Sequence, residues 1–169
     1  MLMDVCRWQN CLRSSILISI VCGVTGVATS KRLRVCSRPT VPVWPNLPKR
    51  YDIKCLIWHQ GESDQKAGDR YYDNLKAVIQ HIRQHLYKVT GKKKYRRLPV
   101  ICGTYAKDSR QCSRQVVDAL YRLSREDRHF HVVDASDLSL LPDRLHFNAE
   151  GAQTLGQRIY ETMVLYGCS

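Results

Sequence analysis

The chain has no C-x-x-C pair among its eight cysteines, and no zinc-finger, RNA-recognition or helix-turn-helix pattern. Each absence closes a class of function. Without paired thiols at ligand spacing there is no structural zinc or thioredoxin-like signature. At 169 residues the chain is large enough to build a core without a disulfide framework. The apolar stretch 14–28 (SSILISIVCGVTGVA) is shorter than the ~20 residues that span a bilayer, so no stable membrane span is expected. Acidic residues are scarce, 15 against 27 Lys and Arg, for a net charge of +12. Such an excess points toward an acidic partner, but its distribution argues otherwise. Residues 1–52 hold eight Lys/Arg and two Asp. The other concentration, Lys92, Lys93, Lys94, Arg96 and Arg97, falls in a short loop between a predicted helix and a predicted strand, where a solvated surface is expected. No nucleic-acid partner is expected. The sequence has no internal repeat and no low-complexity segment.

What is present reads as a folded domain, with 44% hydrophobic and 25% charged residues. The first fifty residues differ from the rest. Arg7 and Arg13 precede the apolar stretch, and small residues near Ala28 to Ser30 follow it, as in a secretory leader. A leader of this kind implies export, periplasmic or secreted; without it the chain is cytoplasmic. An ordinary buried strand or helix is the alternative for the same residues. Four prolines in 39–48 (PTVPVWPNLP) make an extended linker. The expected organisation is therefore a leader and linker over 1–50 and a domain over 51–169.

From Tyr51 onward the pattern is regular. Ile53 to Trp58, Leu98 to Thr104 and Phe130 to Asp134 are short apolar runs of the kind that form buried parallel strands. Cys55 and Cys102 fall inside two of them and read as core thiols. Asp69 to Tyr87 has helical spacing, with Tyr72, Leu75, Val78, Ile79, Ile82 and Leu86 on one face. Gln111 to Glu126 is a second helix, with Val116, Val117, Leu120 and Leu123 facing inward. A third starts at the cap residue Asn148 and runs to about Leu165, with Ala152, Leu155, Ile159 and Met163 as its apolar face. Strands alternating with helices predict an α/β fold with a parallel sheet, helices on both faces and chemistry at the carboxyl ends of the strands.

Two segments carry that chemistry. Trp58-His59-Gln60-Gly61-Glu62-Ser63-Asp64 follows the first of these strands. Gly61 lets the backbone approach a ligand closely, and the Gln60 amide offers N–H donors for a developing oxyanion. Asp143-Arg144-Leu145-His146-Phe147-Asn148 precedes the last helix. A carboxylate three residues before a histidine can hold one ring nitrogen and leave the other free as a general base. A polar loop and an ion-paired surface histidine are the plain alternatives.

Taken together and in this order, WHQGESD and DRLHFNAEGAQTLGQRIYE resemble the SGNH hydrolase superfamily, in its branch of sialate O-acetylesterase-like carbohydrate esterases. The resemblance spans roughly residues 51–166. It implies a flavodoxin-like three-layer sandwich and a carboxylic ester hydrolase that removes O-acetyl groups from sugars. It assigns Gln60 and Gly61 to the oxyanion hole, Asp143 and His146 to the acid–base pair, and Glu62 to a supporting role. An acetylated carbohydrate is the implied partner, with no metal and no organic cofactor. Oligomeric state is left open.

The same family places its serine in a G-Q-S-N-like block well upstream. Only 57 residues precede Trp58, and none of Ser14, Ser15, Ser19, Ser30 or Ser37 has that glycine context. The nucleophile is therefore unassigned and the sandwich is expected to be incomplete. Two further readings follow. The chain is either an impaired esterase or a non-catalytic, carbohydrate-binding remnant of the fold. His81 and His85, spaced i, i+4, raise metal binding as a third reading, without an acidic or thiol partner at ligand spacing.

Overall fold

Strands form where the apolar runs lie, and their lengths are set by what interrupts them. The computed structural model describes residues 17–23, 52–61, 64 and 68–168. In chain order these form β1 (Leu17–Gly23), β2 (Asp52–His59), α1 (Gly68–Thr90), a 3-10 turn (Lys93–Arg97), β3 (Val100–Gly103), α2 (Arg114–Glu126), β4 (Phe130–Val133) and α3 (Ala149–Leu165). Pro99 donates nothing to a ladder, so β3 starts at Val100 rather than at Leu98. The basic cluster becomes the 3-10 turn, anchored by the fully buried ring of Tyr95. No helix among the described residues is long and apolar enough to cross a membrane.

The sheet order is β1-β2-β3-β4. β2, β3 and β4 are parallel, with Leu56 opposite Val100 and Val100 opposite Phe130. This is the α/β parallel sheet anticipated from the alternation. β1 pairs with β2 antiparallel, Leu17 opposite His59 and Gly23 opposite Asp52. It comes from the apolar stretch that also reads as a leader, and it covers an edge of β2 that would otherwise present a row of unpaired backbone groups. The rest of that stretch, and the proline-rich linker, lie outside the described residues.

The register between β1 and β2 skips Lys54, because Val21 faces Cys55 and Cys22 faces Ile53. This bulge resets the alternation of β2. Ile53, Leu56 and Trp58 join one core with Leu75, Ile79 and Leu86 of α1 and Val116, Leu120 and Leu123 of α2. Cys55 and Ile57 turn to the other face, against Leu155, Ile159 and Met163 of α3. Three layers result, with α1 and α2 on one side and α3 on the other. Each fully buried aliphatic such as Leu56 or Leu120 contributes about 1.5–3 kcal/mol of apolar burial. Truncating one to alanine would cost roughly 2–5 kcal/mol.

The predicted helix faces are buried or, at Val78, Val117 and Ile159, partly buried, with one exception. Ala152 is exposed. Its neighbour Gly151 is buried instead, so close to the loop before it that an added Cβ would overlap the Ser139 carbonyl. Gly151 therefore takes the inward place at the start of α3, and Ala152 faces outward. Asn148 caps the helix, its Oδ1 accepting from Gly151 N–H at 2.8 Å and from the Ser139 hydroxyl at 2.8 Å.

Candidate active site

β2 delivers Gln60 and Gly61 at its carboxyl end, and two tyrosines hold them there. Tyr71 of α1 and Tyr105, just past β3, both donate to the Gln60 carbonyl, at 2.7 and 2.5 Å. The Gln60 side chain is only 6% exposed, and its Nε2 donates to Asp64 at 2.6 Å. An amide nitrogen carries two hydrogens, so Asp64 fixes the orientation of the group and leaves one N–H for another acceptor. Gly61 has a φ of +137°, a conformation that side chains rarely adopt. A Cβ there would overlap the Tyr105 hydroxyl and lie 2.8 Å from Val116 Cγ1. Only glycine fits this position. Glu62 lies outside the described residues.

The second loop is an exposed hairpin-like turn. Leu140 and Phe147 form an isolated antiparallel bridge across its base, and Leu141 N–H donates to the His146 carbonyl at 2.8 Å. Arg144 at its tip has a φ of 55°. Its carbonyl accepts from Arg110 N–H at 3.0 Å, and its Nε donates to the Asp108 carbonyl at 3.0 Å. These contacts bind the turn to the segment following β3.

Within the turn, Asp143 Oδ2 lies 2.7 Å from His146 Nδ1. Asp143 Oδ1 accepts from the backbone N–H groups of Leu145 and His146, at 2.9 and 3.1 Å. The His146 side chain foremost, with those two N–H groups, holds the Asp143 carboxyl down at about 2. It is ionised across the physiological range. With Nδ1 engaged, Nε2 is the nitrogen available for proton transfer. Both side chains are open to solvent, His146 at 69% and Asp143 at 39%. Among the described residues, no serine hydroxyl hydrogen-bonds His146.

The two loops meet through residues that the motif reading does not single out. The His59 ring lies 5.9 Å from the Phe147 ring and 5.8 Å from the Tyr105 ring, with its Nδ1 3.3 Å from the Gly103 carbonyl. Gly103 admits this ring because a Cβ there would sit 2.9 Å from His59 Nδ1. Gln60 and His146 share no hydrogen bond with each other. A groove of about 620 Å³ lies elsewhere, between β4 and α3, lined by Val133, Asp134, Asp137 and Arg158 among others. None of Gln60, Gly61, Asp143 and His146 lines it.

His81 and His85 stack on each other on α1, centroids 6.4 Å apart. No group of three or more metal-ligating side chains gathers among the described residues.

The loop geometry and the alternation of elements can be set against known proteins. A family model described as carbohydrate esterase, sialic acid-specific acetylesterase, matches residues 43–165. The chain belongs to this family. No curated protein and no solved structure matches it. The match to this carbohydrate esterase family takes in both loops, β2 to β4 and all three helices, and it supports esterase chemistry on an acetylated carbohydrate.

Proposed function

We propose that this chain carries the oxyanion-hole and acid–base loops of an O-acetylesterase acting on acetylated sugars, with turnover impaired because its sequence holds no recognisable G-Q-S-N-like serine block. The observation that carries the reading is the Asp143–His146 pair, with Nδ1 bound at 2.7 Å and the ring open to solvent. In the reaction assigned here, a serine oxygen attacks the acetyl carbonyl while His146 Nε2 takes its proton. Asp143 stabilises the imidazolium. The free N–H of Gln60, with backbone N–H groups, receives the oxyanion. His146 then returns the proton to the departing sugar hydroxyl, and activates the water that releases acetate. Asp64 and the two tyrosines act by holding Gln60 still. Glu62 is assigned a supporting place in the same loop.

The second reading, a non-catalytic remnant that binds carbohydrate, is favoured by the lack of a serine partner for His146 among the described residues. Titrating the protein with O-acetylated and de-acetylated sialic acid, followed by amide NMR, addresses both. Shifts at Gln60, Gly61 and His146 with the acetylated sugar alone support an acetyl-reading site. No shift at any of the three with either sugar contradicts both readings. Export competes with the β1–β2 pairing for the same residues, because cleavage near Ala28 to Ser30 would remove β1 (Leu17–Gly23). A mature N-terminus there in secreted material would support export at the expense of that pairing, and an intact Met1 in that material would count against export.

A further inference from the structure

The basic run around Lys93 has no part in the esterase reading, and it is held on ordered backbone. The ring of Tyr95 is fully buried, and its hydroxyl accepts from the Ile53 N–H at 3.2 Å, which pins the 3-10 turn to the start of β2. Arg83 of α1 donates to the Leu98 carbonyl from Nε and Nη2, at 3.0 and 2.8 Å, and reaches the His129 carbonyl at 3.4 Å. Val100 N–H donates to the same His129 carbonyl at 2.8 Å, so the segment carrying Arg128 runs beside the one that follows Arg97. The three-residue repeat of the 3-10 turn places Lys93 in line with Arg96, and Lys94 in line with Arg97, each pair about 6 Å apart along the axis. The carboxylates at this end of the sheet are already engaged. Asp52 is ion-paired with Lys94 and, at 3.6 Å, with Lys92, and Asp127 with Arg83. Lys93, Arg96, Arg97 and Arg128 are exposed and form no ion pair among the described residues. The Arg96 guanidinium lies 3.9 Å from the centroid of the Tyr87 ring, which holds it in place.

We propose that this face is a binding surface for a carboxylate-bearing polysaccharide, separate from the candidate active site. It lies at the amino ends of the parallel strands. Gln60 leaves the carboxyl end of β2, about 25 Å along the strand from Asp52. Four cations without carboxylate partners, fixed on adjoining segments, fit an anion whose charge repeats, and a carboxylate can meet each guanidinium through two hydrogen bonds. Nucleic acid fits less well, because the tyrosines of the patch offer no platform for base stacking: Tyr95 is buried and Tyr87 carries Arg96 on its face. An anionic bilayer fits less well, because Val89 is the only exposed large hydrophobic side chain between residues 85 and 100 and gives little to insert. Carbohydrate is also the class on which this family acts, and only that choice of polymer rests on the esterase reading. A chain held here would keep its acetylated units close to the far end of the domain and raise their local concentration.

The full chain is titrated with polygalacturonate, a polycarboxylate without acetyl groups, and followed by amide NMR and calorimetry. Neutral dextran, an oligo-dT single strand and vesicles of phosphatidylcholine with phosphatidylserine serve as comparisons. The expected result is shifts at Lys93, Lys94, Arg96, Arg97 and Arg128 with polygalacturonate, none at Gln60 or His146, and no binding of dextran. Affinity should fall at least about tenfold between about 50 and about 200 mM salt. Lys93→Glu with Arg97→Glu should weaken binding by about tenfold or more. Lys107→Glu with Arg114→Glu, the same change of charge placed after β3, should leave it within about twofold. No binding of polygalacturonate would overturn the inference, as would tighter binding of oligo-dT or of the vesicles, or an equal loss in both double variants. The wild-type shifts need no variant, so a folding defect in either does not blunt the test. Failure of the acetylated sugar to shift Gln60 and His146 would count against the esterase reading and leave this surface standing.

Discussion

The imidazole of His59 and the ring of Phe147 face each other with centroids 5.9 Å apart and planes tilted by 42°. One residue lies beside Gln60, the proposed oxyanion-hole side chain, and the other beside His146, the proposed general base, so this contact couples two loops that lie some eighty residues apart in sequence. Replacing His59 with alanine removes the ring and leaves the Gly103 carbonyl without it. We expect a loss of about 1–3 kcal/mol in urea denaturation. Amide NMR shifts should appear at both Gln60 and His146. Shifts confined to the Gln60 loop would show that the contact does not couple the loops.

Gly61→Ala tests the clamp under the glutamine. The new methyl would overlap the Tyr105 hydroxyl and take up a φ of +137°. A destabilisation of about 2–4 kcal/mol is expected, read from the denaturation midpoint. Adding Tyr105→Phe should recover part of it, because the hydroxyl is the nearest obstacle. A Gly61→Ala protein as stable as the parent would refute this account of the loop.

Acid stability follows from three carboxyls held at about 2. Glu126 is bound by the Tyr72 hydroxyl first, then Lys76 and Arg122; Asp137 by Arg158; and Asp143 by His146. Each is lowered from an ordinary value of 3.8 for Asp or 4.5 for Glu. Its contribution is therefore present above that value and lost as pH falls toward about 2. The melting temperature should hold from pH 7 to 5 and decline between about pH 4.5 and 2. Glu126→Gln should make that decline shallower, since it removes one proton-linked contact between α1 and α2. An unchanged slope in this variant would contradict the assignment.

β1 is tested through its backbone. Ser19 sits opposite Ile57 within the antiparallel ladder. Leu56 donates to the Pro99 carbonyl on the β3 side, so Ile57 is the neighbour that turns its backbone to β1. Ser19→Pro therefore removes a ladder donor and should cost on the order of 1–3 kcal/mol, with increased aggregation as the β2 edge opens. No change in stability or solubility would mean that the pairing contributes nothing.

Much of this arrangement is legible in the residues. IKCLIW, LPVICGT and FHVVD are short apolar runs that cannot be amphipathic surface helices, and each becomes a parallel strand. Asn148 announces the start of α3, because its side-chain oxygen has an N–H to cap. The Asp143–His146 pair is equally local, one turn apart, and so readable from spacing. β1 is not legible in the same way. An apolar stretch after two arginines has the composition of a leader and of a strand alike, and antiparallel pairing leaves no mark in the sequence. The His59–Phe147 contact and the two tyrosines on Gln60 depend on tertiary approach between distant segments, which no local pattern encodes. Periodicity alone puts Ala152 on the buried face, because it does not anticipate a glycine packed against a neighbouring carbonyl.

The most direct test of the central claim is ester hydrolysis by the purified 169-residue protein, shown to be folded by circular dichroism. p-Nitrophenyl acetate and an O-acetylated sialic acid serve as substrates. The account predicts rates indistinguishable from those of His146→Ala with both. Turnover by the parent chain that His146→Ala abolishes would contradict it, and would mean that a nucleophile reaches His146 after all.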